Sequence, residues 1–235
     1  MHKPVLHVSG LTAFYGNSQV LRGVDFDVGE GEIVALLGRN GSGRSTTAKA
    51  IMGLVQRSGS VRWNGTQTIH MPTYAIARAG IGYVPEGRDI FPALTLHQNL
   101  QLGERAATDK TRWTFEDMYR MFPSLKVRQH TPAGVLSGGE QQMLSLCRCL
   151  MGNPRLVIVD EPAEGLAPQL VEQLSGYFKE LRRRGVSVLL IEQKLAFALD
   201  IADRCLVMGH GQIVFNGSTQ QLSGNALVRK EWLEI

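Results

Sequence analysis

The sequence predicts an α/β fold built on a mostly parallel sheet flanked by helices, and three observations carry that reading. Short apolar, β-branched runs alternate with helical patterns along most of the chain. One such run leads directly into a glycine-rich loop followed by a helical stretch, and another ends in two adjacent acids. Taken in order, Leu6 to Val28 reads as a small antiparallel sheet, and Glu32 to Leu37 as the first core strand. Ile81 to Val84, Leu156 to Val159, Val186 to Ile191 and Arg204 to Met208 read as further core strands, with Gln212 to Phe215 as a late antiparallel addition. Between Phe91 and about Gly152 the strand signals disappear and helical patterns dominate, so a helical subdomain is expected there, inserted between core strands. The tail from Asn225 to Ile235 reads as a short terminal helix. The expected organisation is one domain over residues 1–235, with 1–90 and 153–235 forming the core and about 91–152 the helical part.

Composition narrows the function classes. Hydrophobic residues make up 43% and charged residues 20% of the 235, as in a folded globular chain and unlike a disordered one. No run approaches the roughly 20 apolar residues that span a bilayer, and the opening MHKPVLHVSG lacks the apolar core of a signal peptide, so any membrane role is expected to be peripheral. The net charge of +4 comes from scattered basic residues and not from a tract, which gives no footprint for nucleic acid. The densest cluster, Arg182-Arg183-Arg184, sits at an expected helix end before Gly185, where cations complement the helix dipole in a solvated position. The three cysteines, Cys147, Cys149 and Cys205, have neither metal-ligand spacing nor an even count, and read as inert thiols.

The run Gly38-Arg39-Asn40-Gly41-Ser42-Gly43-Arg44-Ser45-Thr46 lies between the strand Ile33 to Leu37 and the helical stretch Thr47 to Leu54, the strand, loop and helix order that a phosphate-binding loop requires. Glycines let backbone N–H groups turn inward around phosphate oxygens, and the free N–H groups of the helix start add positive potential. Ser45 is placed to bring a hydroxyl to Mg²⁺ bridging the terminal phosphates, and Thr46 to hold the turn. The pattern departs from G-x-x-x-x-G-K-[ST] at one position, where Arg44 replaces lysine. Arginine keeps the charge and forks onto two oxygens, but it is wider and planar, so ATP binding is expected to survive and hydrolysis to slow. Downstream, the strand Leu156 to Val159 ends in Asp160-Glu161-Pro162, two acids that a buried strand does not carry without use. At the carboxyl end of a parallel strand, Asp160 can serve Mg²⁺ through its water shell while Glu161 polarises the attacking water.

Leu136-Ser137-Gly138-Gly139-Glu140-Gln141-Gln142, ahead of an apolar helical stretch and about twenty residues before the acidic pair, resembles the signature of the ABC transporter ATPases. The resemblance covers the whole chain and implies the P-loop ABC cassette fold, with ATP and Mg²⁺ as ligands. It implies that Ser137, Gly138, Gly139 and Glu140 act on the γ-phosphate held by a second cassette, the two meeting head to tail. It also implies that Tyr15 stacks on adenine and that Glu86 and Gln193 stand at the Q-loop and switch positions. Within the family the chain looks most like the branched-chain amino acid importer ATPases of the LivF type. The resemblance rests on Gly82-Tyr83-Val84-Pro85-Glu86-Gly87-Arg88-Asp89-Ile90-Phe91-Pro92, Glu161-Pro162-Ala163-Glu164-Gly165-Leu166-Ala167-Pro168 and Ile191-Glu192-Gln193. Glu86, Ala167 and Gln193 depart from the general ABC pattern but agree with this branch.

The partners so implied are a second ABC ATPase subunit, alike or different, two integral membrane permease subunits, and indirectly a periplasmic binding protein; by the resemblance Phe91 and Pro92 face the permease, while an aromatic beside a loop reads equally as a core residue of the helical subdomain. The implied location is the cytoplasmic face of the bacterial inner membrane, with no nucleic acid. Arg44 leaves a rival reading open, an ATP-binding but weakly or non-hydrolysing structural subunit of an asymmetric ABC dimer.

Overall fold

A computed structural model describes residues 3–105 and 113–233. In chain order the first elements are β1 (Pro4–Tyr15), β2 (Ser18–Gly29), β3 (Ile33–Gly38), α1 (Arg44–Met52), β4 (Gln56–Trp63), β5 (Thr66–Gln67), α2 (Thr73–Arg78) and β6 (Ile81–Val84). Helices follow: α3 (Leu96–Gly103), α4 (Phe115–Met121), α5 (Pro123–Val127) and α6 (Gly138–Met151). The chain ends with β7 (Leu156–Asp160), α7 (Pro168–Arg183), β8 (Ser187–Glu192), α8 (Leu195–Ile201), β9 (Arg204–Gly209), β10 (Gln212–Ser218), α9 (Thr219–Gly224) and α10 (Ala226–Trp232). The α/β class, the parallel core, the N-terminal antiparallel sheet and the helical insertion are as the sequence predicts. Of the expected terminal helix, Glu234 and Ile235 lie outside the described residues, as do residues 106–112 of the helical stretch.

Six strands form the core sheet in the order β10-β9-β3-β8-β7-β6, with β10 antiparallel to β9 and the other pairs parallel. Its central strands are buried on both faces, so they read as unbroken apolar runs whose alternate residues enter two different cores. Ile33, Ala35 and Leu37 of β3 join Val157, Val159, Val188 and Leu190 on the face covered by α6, α7 and α8. Val34 and Leu36 join Leu156, Ile158, Leu189 and Ile191 on the face covered by α1 and the four-stranded sheet β2-β1-β4-β5. The sheet is the middle layer of three, and the carboxyl ends of β3, β7 and β8 all open on one edge.

The sequence reading confined the antiparallel sheet to its first hairpin, whereas β4 pairs with β1 from Leu6↔Trp63 to Phe14↔Gln56. Periodicity misses β4 because only Val61 and Trp63 are buried apolar residues among its polar side chains. Arg57 within it donates to the carbonyls of Ile69 at 2.9 Å, Thr68 at 3.1 Å, Met71 at 3.1 Å and Ile51 at 3.1 Å, and to that of Ala50. Two of these carbonyls, those of Ala50 and Ile51, belong to the last turn of α1, where the Ala50 carbonyl also accepts from the Gly53 N–H at 3.2 Å, so Arg57 fixes the far end of the helix that begins at the glycine-rich loop.

The arginine cluster at the end of α7 is not the merely solvated helix end that the sequence suggests. Arg184 stacks over the buried Trp113 ring at 4.0 Å and ion-pairs with Asp117 of α4 at 2.5 Å and with Glu180 at 2.9 Å. Arg182 and Arg183 pair with Asp203 and Glu180, both at 2.7 Å. Burial pulls Asp117 upward, yet the Arg184 and Thr114 hydrogen bonds outweigh it and hold the carboxyl down at about 2. Glu180 is held at about 2 chiefly by its hydrogen bond from Arg183. Carboxyls depressed below their unfolded values stabilise the fold above about pH 4, and the contribution is lost as pH falls towards about 2. Asp117→Asn is therefore expected to lower the melting temperature at pH 7 and to flatten its decline between pH 4 and pH 2, which a calorimetric pH series measures.

Cys147 and Cys205 are buried and Cys149 partly so, and burial pushes Cys149 up to about 12 and Cys205 to about 11, which keeps both as unreactive thiols. Among the described residues no helix is long and apolar enough to cross a membrane.

Candidate nucleotide site

At the carboxyl edge of the sheet, β3 delivers the chain into the loop Arg39 to Gly43, and α1 carries it away. The loop closes tightly. A Cβ at Gly38 would lie 2.6 Å from the Met208 carbonyl oxygen, so only glycine lets β3 leave the sheet beside β9. Gly43 caps α1 at φ 109°, a left-handed conformation that side chains avoid. With no side chain capping α1, the first N–H groups of the helix are left to a ligand, and Arg44, Ser45 and Thr46 line the cavity they face.

That cavity has a volume of about 350 Å³ and is lined by Asn40, Gly41, Ser42, Gly43, Arg44, Ser45, Thr46, Glu86, Glu161, Glu164 and Gln193. Two buried polar atoms beside it have no partner, the Ser42 hydroxyl and Nη1 of Arg44. Unpartnered buried donors are costly, and an oxyanion placed in the cavity would accept from both. Arg44 itself is 5% exposed: its Nη2 reaches Glu161 Oε1 at 2.8 Å and Asn40 Oδ1 at 3.3 Å. The arginine that breaks the lysine pattern is thus seated inside the site with one nitrogen on the second acid and the other unengaged.

Ser45 Oγ donates to Asp160 Oδ1 at 3.0 Å, joining the start of α1 to the end of β7. Burial pushes Asp160 up to about 6 against the Ser45 hydrogen bond, Glu86 adds to the rise, and Arg44 and Lys49 pull it down. Burial likewise pushes Glu161 up to about 7; Arg44 opposes this, while Glu192, Asp160 and Glu164 reinforce it. A carboxylate poised near neutrality in a cavity is suited to take a proton from water. Glu161 also has φ 49°, and its N–H is tied to the Ile191 carbonyl at 2.9 Å. Among the described residues no group of three or more His, Cys, Asp or Glu side chains can hold a metal alone. A hydroxyl and one carboxylate fit Mg²⁺ that completes its octahedron with phosphate oxygens and water.

The structure brings most predicted residues together. Asn40 to Thr46, Glu86, Glu161 and Gln193 line one cavity, and Asp160 is bonded to it through Ser45. Gly38 and Arg39 do not line it, and Arg39 lines a neighbouring cavity of about 190 Å³ with His210, Glu231 and Trp232. Tyr15, at the end of β1, is 47% exposed and is not among the lining residues. Ser137, Gly138, Gly139 and Glu140 stand apart at the start of α6. There Ser137 Oγ accepts from the Glu140 N–H at 3.3 Å, and Glu140 Oε2 accepts from the Ser137 N–H at 2.8 Å, a reciprocal cap. Glu140 also pairs with Arg128 at 3.1 Å. Sequence reasoning did not assign Glu164, which lines the cavity, or Glu192, a wholly buried acid at the end of β8. An acid closing an apolar strand, the signal used for Asp160 and Glu161, marks Glu192 as well.

The family model described as ABC transporter matches residues 21–164. The chain is 40% identical over 232 residues to the "High-affinity branched-chain amino acid transport ATP-binding protein BraG" of Pseudomonas aeruginosa, covering 97% of this chain and 99% of that one. It is also 31% identical over 234 residues to the "Lipopolysaccharide export system ATP-binding protein LptB" of Haemophilus influenzae, covering 97% of each. Among solved structures, the ADP conformation of an ATP-binding cassette of an ABC transporter superposes with a TM-score of 0.81 at 25% identity, over 97% of this chain and 98% of that one.

Proposed function

The chain belongs to the ABC transporter family and is an ATP-binding, ATP-hydrolysing subunit, and from that premise we propose that it powers an importer for branched-chain amino acids or related small polar solutes. The 40% identity to BraG over nearly both full lengths, together with the LivF-type runs around Glu86, Glu161 and Gln193, supports the importer reading. In this reading the chain is a single cassette with residues 1–90 and 153–235 as its core and about 91–152 as its helical part. It sits peripherally at the cytoplasmic face of the bacterial inner membrane, with a second ATPase subunit, two permease subunits and, indirectly, a periplasmic binding protein.

The cycle follows from the chain's own groups. The N–H groups at the start of α1, the Ser42 hydroxyl and Nη1 of Arg44 take the phosphates. Tyr15, exposed at the end of β1, stacks on adenine. Ser45 and Asp160 are the residues that would hold Mg²⁺, which when bound would neutralise charge building on the phosphates. Ser137 to Glu140 lie away from this cavity within one chain, which supports their acting on the γ-phosphate held by the partner cassette. Glu161 orients and deprotonates the attacking water, Gln193 meets the γ-phosphate, and Glu86 reports on it from the turn after β6. Phe91 is half exposed, and with Arg105 and Arg148 it lines a groove of about 970 Å³, which suits a permease segment.

A second reading is favoured by one contact, the 2.8 Å ion pair between Arg44 and Glu161. A guanidinium on the base slows hydrolysis at this chain's own loop while leaving the start of α6 free to serve a partner's ATP, making this the slow half of an asymmetric pair. Mg-ATP binding and steady-state hydrolysis by the purified chain beside Arg44→Lys separate the readings. Turnover that is similar in both supports the motor. Turnover that rises at least tenfold in Arg44→Lys at unchanged ATP affinity supports the slow half, and no ATP binding by the wild type overturns the site.

A further inference from the structure

Resting on the assignment of Glu161 and Gln193 to hydrolysis, we infer that Glu192 is the positioning residue that holds both of them, one carboxylate bracing the two loops that carry the reacting groups. Glu192 ends β8 and is 0% exposed. Its Oε1 accepts from the Ala163 N–H at 3.1 Å, and its Oε2 accepts from the Gln193 and Lys194 N–H groups, each at 3.0 Å. The Lys194 ammonium returns to the Ala163 carbonyl at 2.6 Å. The Ala163 peptide is therefore held at its N–H by Glu192 and at its carbonyl by Lys194.

Ala163 lies two residues beyond Glu161, whose φ of 49° is a conformation that a non-glycine residue keeps only where its surroundings over-determine it. The Glu161 N–H on the Ile191 carbonyl restrains the near side of that turn, and the Ala163 N–H on Glu192 restrains the far side. The other oxygen of the same carboxylate anchors the first two residues after β8, so Gln193 leaves the strand at a set angle and lines the cavity with Glu161. An ionised carboxylate suits this place because both of its oxygens accept, whereas an amide of the same shape accepts on one oxygen only and presents N–H groups on the other side. A buried carboxyl adds nothing to an apolar core and is retained only when fully hydrogen-bonded.

The test is Glu192→Gln in the wild-type and Arg44→Lys backgrounds, with turnover expressed per bound ATP so that loss of folded protein is divided out. Turnover is expected to fall at least tenfold, with the dissociation constant for Mg-ATP within threefold of its parent. If Glu192→Gln does not fold, Lys194→Met removes the second strut on the Ala163 peptide and is expected to lower turnover several-fold at unchanged ATP affinity. Turnover within twofold of the parent, or ATP binding lost in step with turnover, overturns the inference. With the chain assembled with a second cassette, no turnover at this chain's own site by either parent overturns the assignment of Glu161, and the inference falls with it; normal parents beside an unaffected variant overturn the inference alone.

Discussion

Glu161→Gln is expected to lower ATP turnover by about 10²–10⁴-fold while leaving Mg-ATP binding intact, because the amide keeps the shape of the side chain but cannot take a proton from water. The group is well placed for that role: it lines the cavity and is pushed by burial to about 7, while Arg44 works against the shift. Phosphate release and ATP affinity measured on one preparation separate loss of chemistry from loss of the site. A loss of less than fivefold would move the role of base to another cavity acid, of which Glu164 and Glu86 are the candidates. In a heterodimer with a second cassette, the same substitution also reports on asymmetry. If this chain carries the slow site, Glu161→Gln costs far less than the matching change in the partner, and equal losses would sink the slow-half reading.

Arg44→Ala has the next largest expected effect, a ten- to hundredfold weaker affinity for Mg-ATP, from the loss of a charge-assisted hydrogen bond of about 1.5–3 kcal/mol to phosphate. It also leaves Glu161 without its buried counter-ion, and removing one partner of a buried pair costs about 3–5 kcal/mol when the other stays charged. With Arg44 gone, its pull downward on the Glu161 carboxyl is lost and burial pushes that group higher still, so near neutral pH it takes up a proton and the stability loss falls below that range. Two measurements check this. Isothermal titration gives the affinity, and unchanged binding would mean that Nη1 does not reach the nucleotide. Thermal melts of Arg44→Ala, Glu161→Gln and the double variant should show the double variant melting above the Arg44→Ala single, because the orphaned charge is then gone.

The phosphate loop and the acid pair were legible because each is a local pattern with a local cause. A strand that must turn sharply into a helix needs glycines wherever they occur, and acids at the end of an apolar strand stand out against it. The core strands were legible for the same reason, since residues buried on both faces give unbroken apolar runs. β4 was not legible, because only Val61 and Trp63 of its residues are buried apolar side chains and the rest are polar or glycine, and the role of Arg57 in capping α1 depends on which elements meet. Arg184 shows the limit in another way. In sequence it is one of three arginines at a helix end, and only the packing of α4 on α7 brings Trp113 and Asp117 to it.

By itself the sequence determined the fold class, the position of most core strands along the chain, and the glycine-rich loop and acid pair proposed here to serve phosphate, because short-range periodicity and turn chemistry specify these within a few residues. Only the tertiary structure decided that Arg44 reaches Glu161, that Ser45 is bonded to Asp160, and that Glu192 ties Ala163 to Gln193 and Lys194. Those pairs lie 117, 115 and about 30 residues apart in the chain, and they meet because parallel strands align their carboxyl ends along one edge of the sheet, a register set by the burial of β3, β7 and β8 and not by any local signal.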